Sequence, residues 1–383
     1  MKYNLIIKKE MFYNISSYLS ILLLILYPFI AFFEKYFFNF MPFFLLVIIN
    51  ILIILLLKKI KLIFKGNKLS IIVLLFFFTK AMFPFINSEI DMRDNIFIYL
   101  NQNILPIFLY LSLISSKNEV IYKFLFNRIF KLSLFLMFIA IAIISIYFNL
   151  PRLGGELVLR IADLYAIYLG IDFCKNKFEL VRLGFGLIIL IFLSSVSSII
   201  CFLFASILTY MYIYRNNIEK LIYMFLFLLI ITFTLILSFS FASRDSIPGQ
   251  LINRLDDIRA GDDPSLIGRR YWYYMGLENI LKKPILGEYL YHYKIYGYKY
   301  SSYGGYMHNV LSIWAEFGIF SFFLFFVILI YSLGKIKILK AEAIFCLFYM
   351  ILIGIFRSHE WFFYPLCFFI LVSNLNIKES KYV

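Results

Sequence analysis

A handful of side chains in this 383-residue chain have the chemistry to hold an anion and move a proton. Arg269 and Arg270 stand side by side, Arg152 precedes a Leu-Gly-Gly segment, and Lys80 interrupts an apolar run. Guanidinium forks bind phosphate-type oxygens through paired hydrogen bonds, whereas an ammonium does so as a point charge. His308 carries an imidazole whose ordinary pKa of about 6.5 lets it accept a proton near neutral pH. Glu316 lies eight residues further on in an apolar stretch, where a carboxylate is costly unless it is paired or used. Each has a plainer reading. An arginine at a membrane interface can bind headgroups, a histidine can cap a helix, a buried glutamate can fix helix packing, and a lysine can snorkel to the interface. Arg160 and Asp163, three apart, read as a local ion pair on a helix whose low hydropathy suggests that it lines a cavity. His292, among tyrosines, and His359, in the segment 357–360, serve as the comparison histidines.

The elements that must position these groups are membrane spans. With 63% hydrophobic residues, 21% aromatic, 15% charged and a mean hydropathy of +0.88, the chain departs from the composition of a soluble globule, in which roughly half the residues are apolar. Runs long enough to cross ~30 Å of hydrocarbon number about twelve. They fall near 12–33, 38–57, 69–86, 95–115, 131–149, 157–174, 183–196, 198–214, 221–242, 309–333, 342–356 and 362–375. The stretch 183–214 is too long for one helix and is divided only by Ser194, Ser195, Val196, Ser197 and Ser198, so it reads as two spans or as a broken, re-entrant pair. The first apolar run is long and is followed by another span rather than by a cleavage site, which marks it as a retained helix. Cys174, Cys201, Cys346 and Cys367 sit in or beside apolar runs without metal-ligand spacing and read as small buried hydrophobes.

Lysine and arginine gather in alternate turns: Lys58, Lys59, Lys61, Lys65 and Lys68; Lys117, Lys123, Arg128 and Lys131; Lys175, Lys177 and Arg182; Lys335, Lys337 and Lys340. Positive residues are retained on the cytoplasmic side, so these loops and both termini are expected inside. The net charge of +15 is then a topology signal, and nucleic acid is not an expected partner. Three sections follow: spans in 1–242, a large extracytoplasmic loop at 243–308, and the closing spans in 309–383. The loop is polar and rich in glycine and tyrosine, and it carries nine basic residues on the translocated side, which points to an acidic ligand. A short surface helix is expected in 253–263 and an amphipathic helix over 269–283, stopped before Pro284. Eight tyrosines in 288–306 form either an interfacial belt or a platform on which sugar rings stack.

Gly268-Arg269-Arg270-Tyr271-Trp272-Tyr273, then Leu277, Ile280, Lys283-Pro284-Ile285-Leu286-Gly287, Met307-His308-Asn309-Val310-Leu311 and Ala315-Glu316-Phe317-Gly318-Ile319 together resemble the signature of the O-antigen polymerase and O-antigen ligase superfamily. The likeness is strongest over 265–320 and extends more weakly to Pro151-Arg152-Leu153-Gly154-Gly155. It implies an all-α polytopic, GT-C-like membrane protein that moves a glycan from an undecaprenyl diphosphate carrier to an acceptor hydroxyl, without metal or other cofactor, at the periplasmic face of a bacterial inner membrane. In that reading Arg269 clamps the diphosphate leaving group, with Arg270, Arg152 and Lys80 as further phosphate contacts. His308 is the general base, and Asn309 and Glu316 support the site. The chain departs from the family pattern twice: the serine cluster 194–198 lacks the arginine of the family's Ser-Arg pair, and the Arg152 segment lacks the downstream Pro-Asn.

Polymerase is the first reading, because heavy use of Phe, Ile, Lys, Asn and Tyr points to an AT-rich gene such as those of variable polysaccharide loci. Its partners would be a lipid-linked donor, a glycan acceptor, the bilayer and a chain-length regulator. A ligase acting on lipid A-core is the alternative. A lipid-linked oligosaccharide flippase also fits an even number of spans, but a transporter would carry internal repeats and charges at mid-membrane in several helices. A non-catalytic assembly factor docking through its tyrosine-rich loop is the third class.

Overall fold

The structure is a computed structural model that describes residues 11, 13–27, 47–50, 68–87, 99–116, 118–125, 127, 131–132, 134–139, 155–176, 178–193, 195–227, 229, 264–289, 291, 307, 309–357 and 362–379. Among the described residues every regular element is helical. The helices are α1 (Tyr13–Tyr27), α2 (Lys68–Asn87), α3 (Leu105–Ser115), α4 (Asn118–Leu125), α5 (Gly155–Lys175), α6 (Leu180–Phe192), α7 (Val196–Ile213), α8 (Pro264–Lys282), α9 (Leu311–Gly334), α10 (Ala341–Phe356) and α11 (Phe363–Glu379).

Apolar run length set most of these boundaries. Helices α2, α5, α9, α10 and α11 coincide to within a few residues with expected spans. The run 183–214 breaks into α6 and α7, at the serines whose hydroxyls compete with the helical ladder. One element was not foreseen: α4 occupies part of the basic segment read as a loop, and it is short and strongly two-faced. The runs 38–57, 131–149 and 221–242 lie partly outside the described residues, and the surface helix expected in 253–263 lies wholly outside them. By length and composition, α9 can cross a membrane, while α1, α7, α10 and parts of α3 and α11 are shorter apolar helices.

Several helices bury polar side chains and turn large apolar ones outward, around an interior that is itself largely apolar. Helix α9 buries Ser312, Glu316, Ser321 and Ser332, yet exposes Phe320, Phe323 and Ile330, the last two at 66% and 67%. Helix α2 buries Lys80 and Ser70 while exposing Ile71, Leu75, Phe78 and Met82, and α7 buries Ser198, Ser206 and Thr209 while exposing Phe204, Leu208 and Met211. Water would reward the opposite arrangement. Lipid does not, because hydrocarbon is as apolar as leucine, and helices there associate through close packing and interhelical hydrogen bonds. One such network joins α1, the segment 47–50 and α3: Asn50 donates to the hydroxyls of Ser20 (3.0 Å) and Ser112 (2.9 Å), and Ser116 donates to Ser20 (2.9 Å). The main packing pairs are α2 with α9, α7 with α10, α5 with α10, and α10 with α11.

Candidate active site

Helix α8 runs Pro264–Lys282, and the chain turns at Lys283-Pro284 after it ends. The helix sinks only a narrow stripe. Gly276, Asn279 and Ile280 are buried, whereas Arg270, Tyr271, Tyr273, Tyr274, Glu278 and Lys282 are exposed. Ile280 packs with Met307 and Ala315, and the half-buried Trp272, Met275 and Leu277 close around them. This small cluster fixes α8 against the first turns of α9. Arg269 lies within α8, but its side chain is outside the described residues; Arg270 projects to the surface. On the exposed face Lys282 pairs with Glu278 at 2.6 Å, and hydrogen bonding to Glu278, reinforced by its charge, raises the lysine above its usual pKa.

The turn after α8 then enters a break in α9. Gly318 sits inside that helix with φ 75° and ψ 176°, a conformation that any Cβ disfavours. In an unbroken helix Ile319 would donate to the carbonyl of Ala315. Here it donates to the carbonyls of Pro284 (3.3 Å) and Ile285 (3.2 Å). The Ala315 carbonyl is satisfied instead by the backbone N–H of Glu288 (2.9 Å) and by the Asn279 amide (2.9 Å). The Trp314 indole donates to the Pro284 carbonyl at 2.8 Å. The bond that the helix gives up is therefore re-made across the junction, as membrane interiors require of every backbone polar group. A Cβ on Gly318 would run into Ile285, and one on Gly287 (φ 67°) would run into Gly318 and the 315–316 backbone. The Pro-Ile-Leu-Gly and Glu-Phe-Gly strings thus have a common cause: the turn 284–287 is seated in the break at 318.

The other predicted residues distribute around this junction. Glu316 is buried at the break. Lys80 reaches it from α2, buried, with its ammonium 5.1 Å from the centroid of the Phe317 ring, a cation–π separation. Phe317 also stacks on Tyr289 (5.6 Å), which meets Tyr99 edge-on (6.2 Å); Tyr289 is therefore core rather than part of an exposed tyrosine platform. Glu288 is buried and pairs with Lys283 at 3.0 Å. Asn309 accepts the Leu311 N–H at 2.9 Å, satisfying one of the open donors at the start of α9. Val310 donates to the Gly354 carbonyl at 2.7 Å, tying the start of α9 to the end of α10. His308 and Arg152 lie outside the described residues, as do His292 and His359.

A second polar cluster lies where α5, α7 and α10 meet, and the sequence revealed only fragments of it. Asp163 accepts through Oδ1 from Ser198 (2.6 Å) and from Tyr349 (2.7 Å). Arg357, just past α10 and buried, donates from Nη2 to Ser195 at 3.0 Å. Ser195 precedes α7 but makes no capping bond with its side chain; its hydroxyl is turned to Ser198 and Arg357 instead. The simple Arg160–Asp163 pair expected from spacing is thus part of a wider arrangement, in which Asp163 has both Arg357 and Arg160 nearby. The signal available in the sequence is the Ser194–Ser198 cluster, which reads there both as a helix break and as the family's Ser-Arg pair without its arginine.

Among the described residues, helices as apolar as α9 that bury serines, Lys80 and Glu316 while turning large apolar side chains outward mark an integral membrane protein. Within it, residues 183–326 are similar to the family model described as O-antigen ligase, and that segment holds the main motifs on which the resemblance rests. The matched segment contains most of α6, all of α7 and α8 and most of α9, with Arg269, His308 and Glu316, and it excludes Asp163 and Arg357. No curated protein and no solved structure matches the chain.

Proposed function

We propose that this protein is a membrane glycan transferase that polymerises a surface polysaccharide, moving the growing glycan from undecaprenyl diphosphate to the acceptor hydroxyl of another lipid-linked repeat unit. The observation that supports this reading is the junction just described. Helix α8, carrying Arg269 and Arg270, is packed on α9, whose first turn follows His308 and Asn309 directly in sequence. The diphosphate clamp is thereby carried on a helix braced against the one that begins three residues after the base in sequence. Arg269, with Arg270, Arg152 and Lys80, would hold the charge that grows on the leaving diphosphate. His308 would take the acceptor's proton as the new glycosidic bond forms at the anomeric carbon and the bond to the diphosphate oxygen breaks. In this reading the chain has about twelve spans and a GT-C-like arrangement. Both termini are cytoplasmic, the 243–308 loop faces the periplasm from the inner membrane, and a chain-length regulator is a partner. Asn309 and Glu316 hold the mouth of α9 in shape.

The matched family's description favours one second reading, the ligase that delivers a finished glycan to an acceptor lipid. A deletion strain complemented with the wild type or with His308→Ala tests both. Loss of transfer by about 10²- to 10⁴-fold, the usual contribution of a general base, is expected for the variant at unchanged membrane abundance and intact flipping of the carrier lipid. Unchanged transfer would sink the mechanism. In the deletion strain, single repeat units on the acceptor lipid mean polymerase, whereas long chains stranded on the carrier mean ligase.

A further inference from the structure

We propose that α8 is seated in the bilayer leaflet at the mouth of α9, its outer face and the turn that follows it resting against lipid rather than in water. Exposure is the first argument. Leu281 is 82% exposed, Tyr274 69% and Ile285 59%, on a helix whose other side, at Gly276, Asn279 and Ile280, is buried. At about 3.6 residues per turn, Tyr274 and Leu281 stand two turns apart on one stripe, with Arg270 a turn before them. Polarity falls along that stripe from arginine through tyrosine to leucine, the order a helix meets in passing from headgroups toward acyl chains. The charges on its flank are paired, Glu278 with Lys282 at 2.6 Å.

Continuity with the lipid-facing side of α9 is the second argument. The Ile285 carbonyl accepts the N–H of Ile319 at 3.2 Å, and both isoleucines are exposed. From Ile319 the exposed apolar face of α9 runs on through Phe320, Phe323, Phe326 and Ile330. Trp314 closes the same join. Its indole donates to the Pro284 carbonyl, its ring lies 5.2 Å from that of Phe322, and Phe322 lies 4.8 Å from Phe326. Depth follows from length. Helix α9 has 24 residues, about 36 Å against ~30 Å of hydrocarbon, and Ile319 comes about 12 Å along from Leu311. The Leu281–Ile285 end of α8 therefore meets α9 below the headgroups, where an exposed leucine and isoleucine face acyl chains. The break at Gly318 is what admits the turn at that depth. This seating concerns only where α8 lies, and it stands apart from the glycan-transfer reading.

The test is spin labelling of the full-length chain in nanodiscs of phosphatidylethanolamine and phosphatidylglycerol. The four native cysteines are buried, so a nitroxide is placed through Leu281→Cys or Ile285→Cys. Ile330→Cys is the lipid reference, and Asn216→Cys, in the exposed turn after α7, is the water reference. Power saturation reads collisions with oxygen, which partitions into acyl chains, and with a water-soluble nickel chelate. Labels at 281 and 285 are expected to match the label at 330, with high oxygen and low chelate access, and to show the reverse of the label at 216. Chelate access equal to that at 216 would overturn the inference by placing this face in water. Exclusion of both probes would overturn it as well, since another segment of the chain or a second copy would then cover the face. Each label is read on protein that keeps the unfolding temperature of the unlabelled chain. Either site decides the matter alone, so one variant that fails to fold leaves the test intact.

Discussion

The α8–α9 junction and the α5–α7–α10 cluster solve the same problem, holding polar groups inside an apolar bundle, by different means. At the junction the acceptors are backbone carbonyls, reached from the backbone N–H groups of Glu288 and Ile319 and from the Asn279 and Trp314 side chains. In the cluster the bonds run side chain to side chain, among Asp163, Ser195, Ser198, Tyr349 and Arg357. A backbone lock tolerates most side-chain changes but demands glycine where two chains touch. A side-chain cluster tolerates neither a missing hydroxyl nor a missing charge, yet places no demand on the backbone. The first should be rigid and all-or-none, the second graded and tunable.

That contrast can be broken most forcefully at Gly318. Valine there must adopt a positive φ and also overlap Ile285, so a destabilisation above about 3 kcal/mol is expected from strain and overpacking together. Fluorescence-detected size exclusion in detergent should show aggregated or degraded protein, and a monodisperse wild-type-like peak would show that the junction is not a lock. A smaller loss is expected of Asp163→Asn, which keeps the shape of the side chain and removes its charge. About 1–2 kcal/mol is the measured range for polar contacts between membrane helices, read as a lowered unfolding temperature in nanodiscs. A loss as large as that of Gly318→Val would make the cluster, too, all-or-none. Asn279→Leu removes one of two donors from the Ala315 carbonyl and should cost about 1 kcal/mol, leaving the Glu288 N–H in place. Arg270→Ala is expected to alter stability by no more than about 0.5 kcal/mol, since the side chain is exposed. Any effect of this variant should appear in transfer, and should shrink as salt is raised. A stability loss there would place the arginine in the fold rather than the site.

The same contrast accounts for what could be read in advance. The junction's strings, Lys283-Pro284-Ile285-Leu286-Gly287 and Ala315-Glu316-Phe317-Gly318-Ile319, were legible because a backbone contact writes itself as glycine and proline at fixed spacing. Their meaning was not: they had suggested chemistry, and Gly318 turns out to interrupt a helix so that a turn can enter it. Glu316 and Lys80 were picked out as charges in apolar runs, and both are buried around the break in α9. The Arg357 cluster was illegible because Asp163, Ser198 and Tyr349 are separated by 35 and 186 residues, and no local spacing encodes contacts between distant helices.

By itself, then, the sequence determined the class of molecule and the approximate helix ends, because lipid rewards long apolar runs whatever they pack against. Only the tertiary structure decided which polar groups share an interior. Helix packing chose Ser195 as the partner of Arg357, and it made two motifs in the 243–319 region into one joint, because those pairings depend on which faces meet rather than on any element alone.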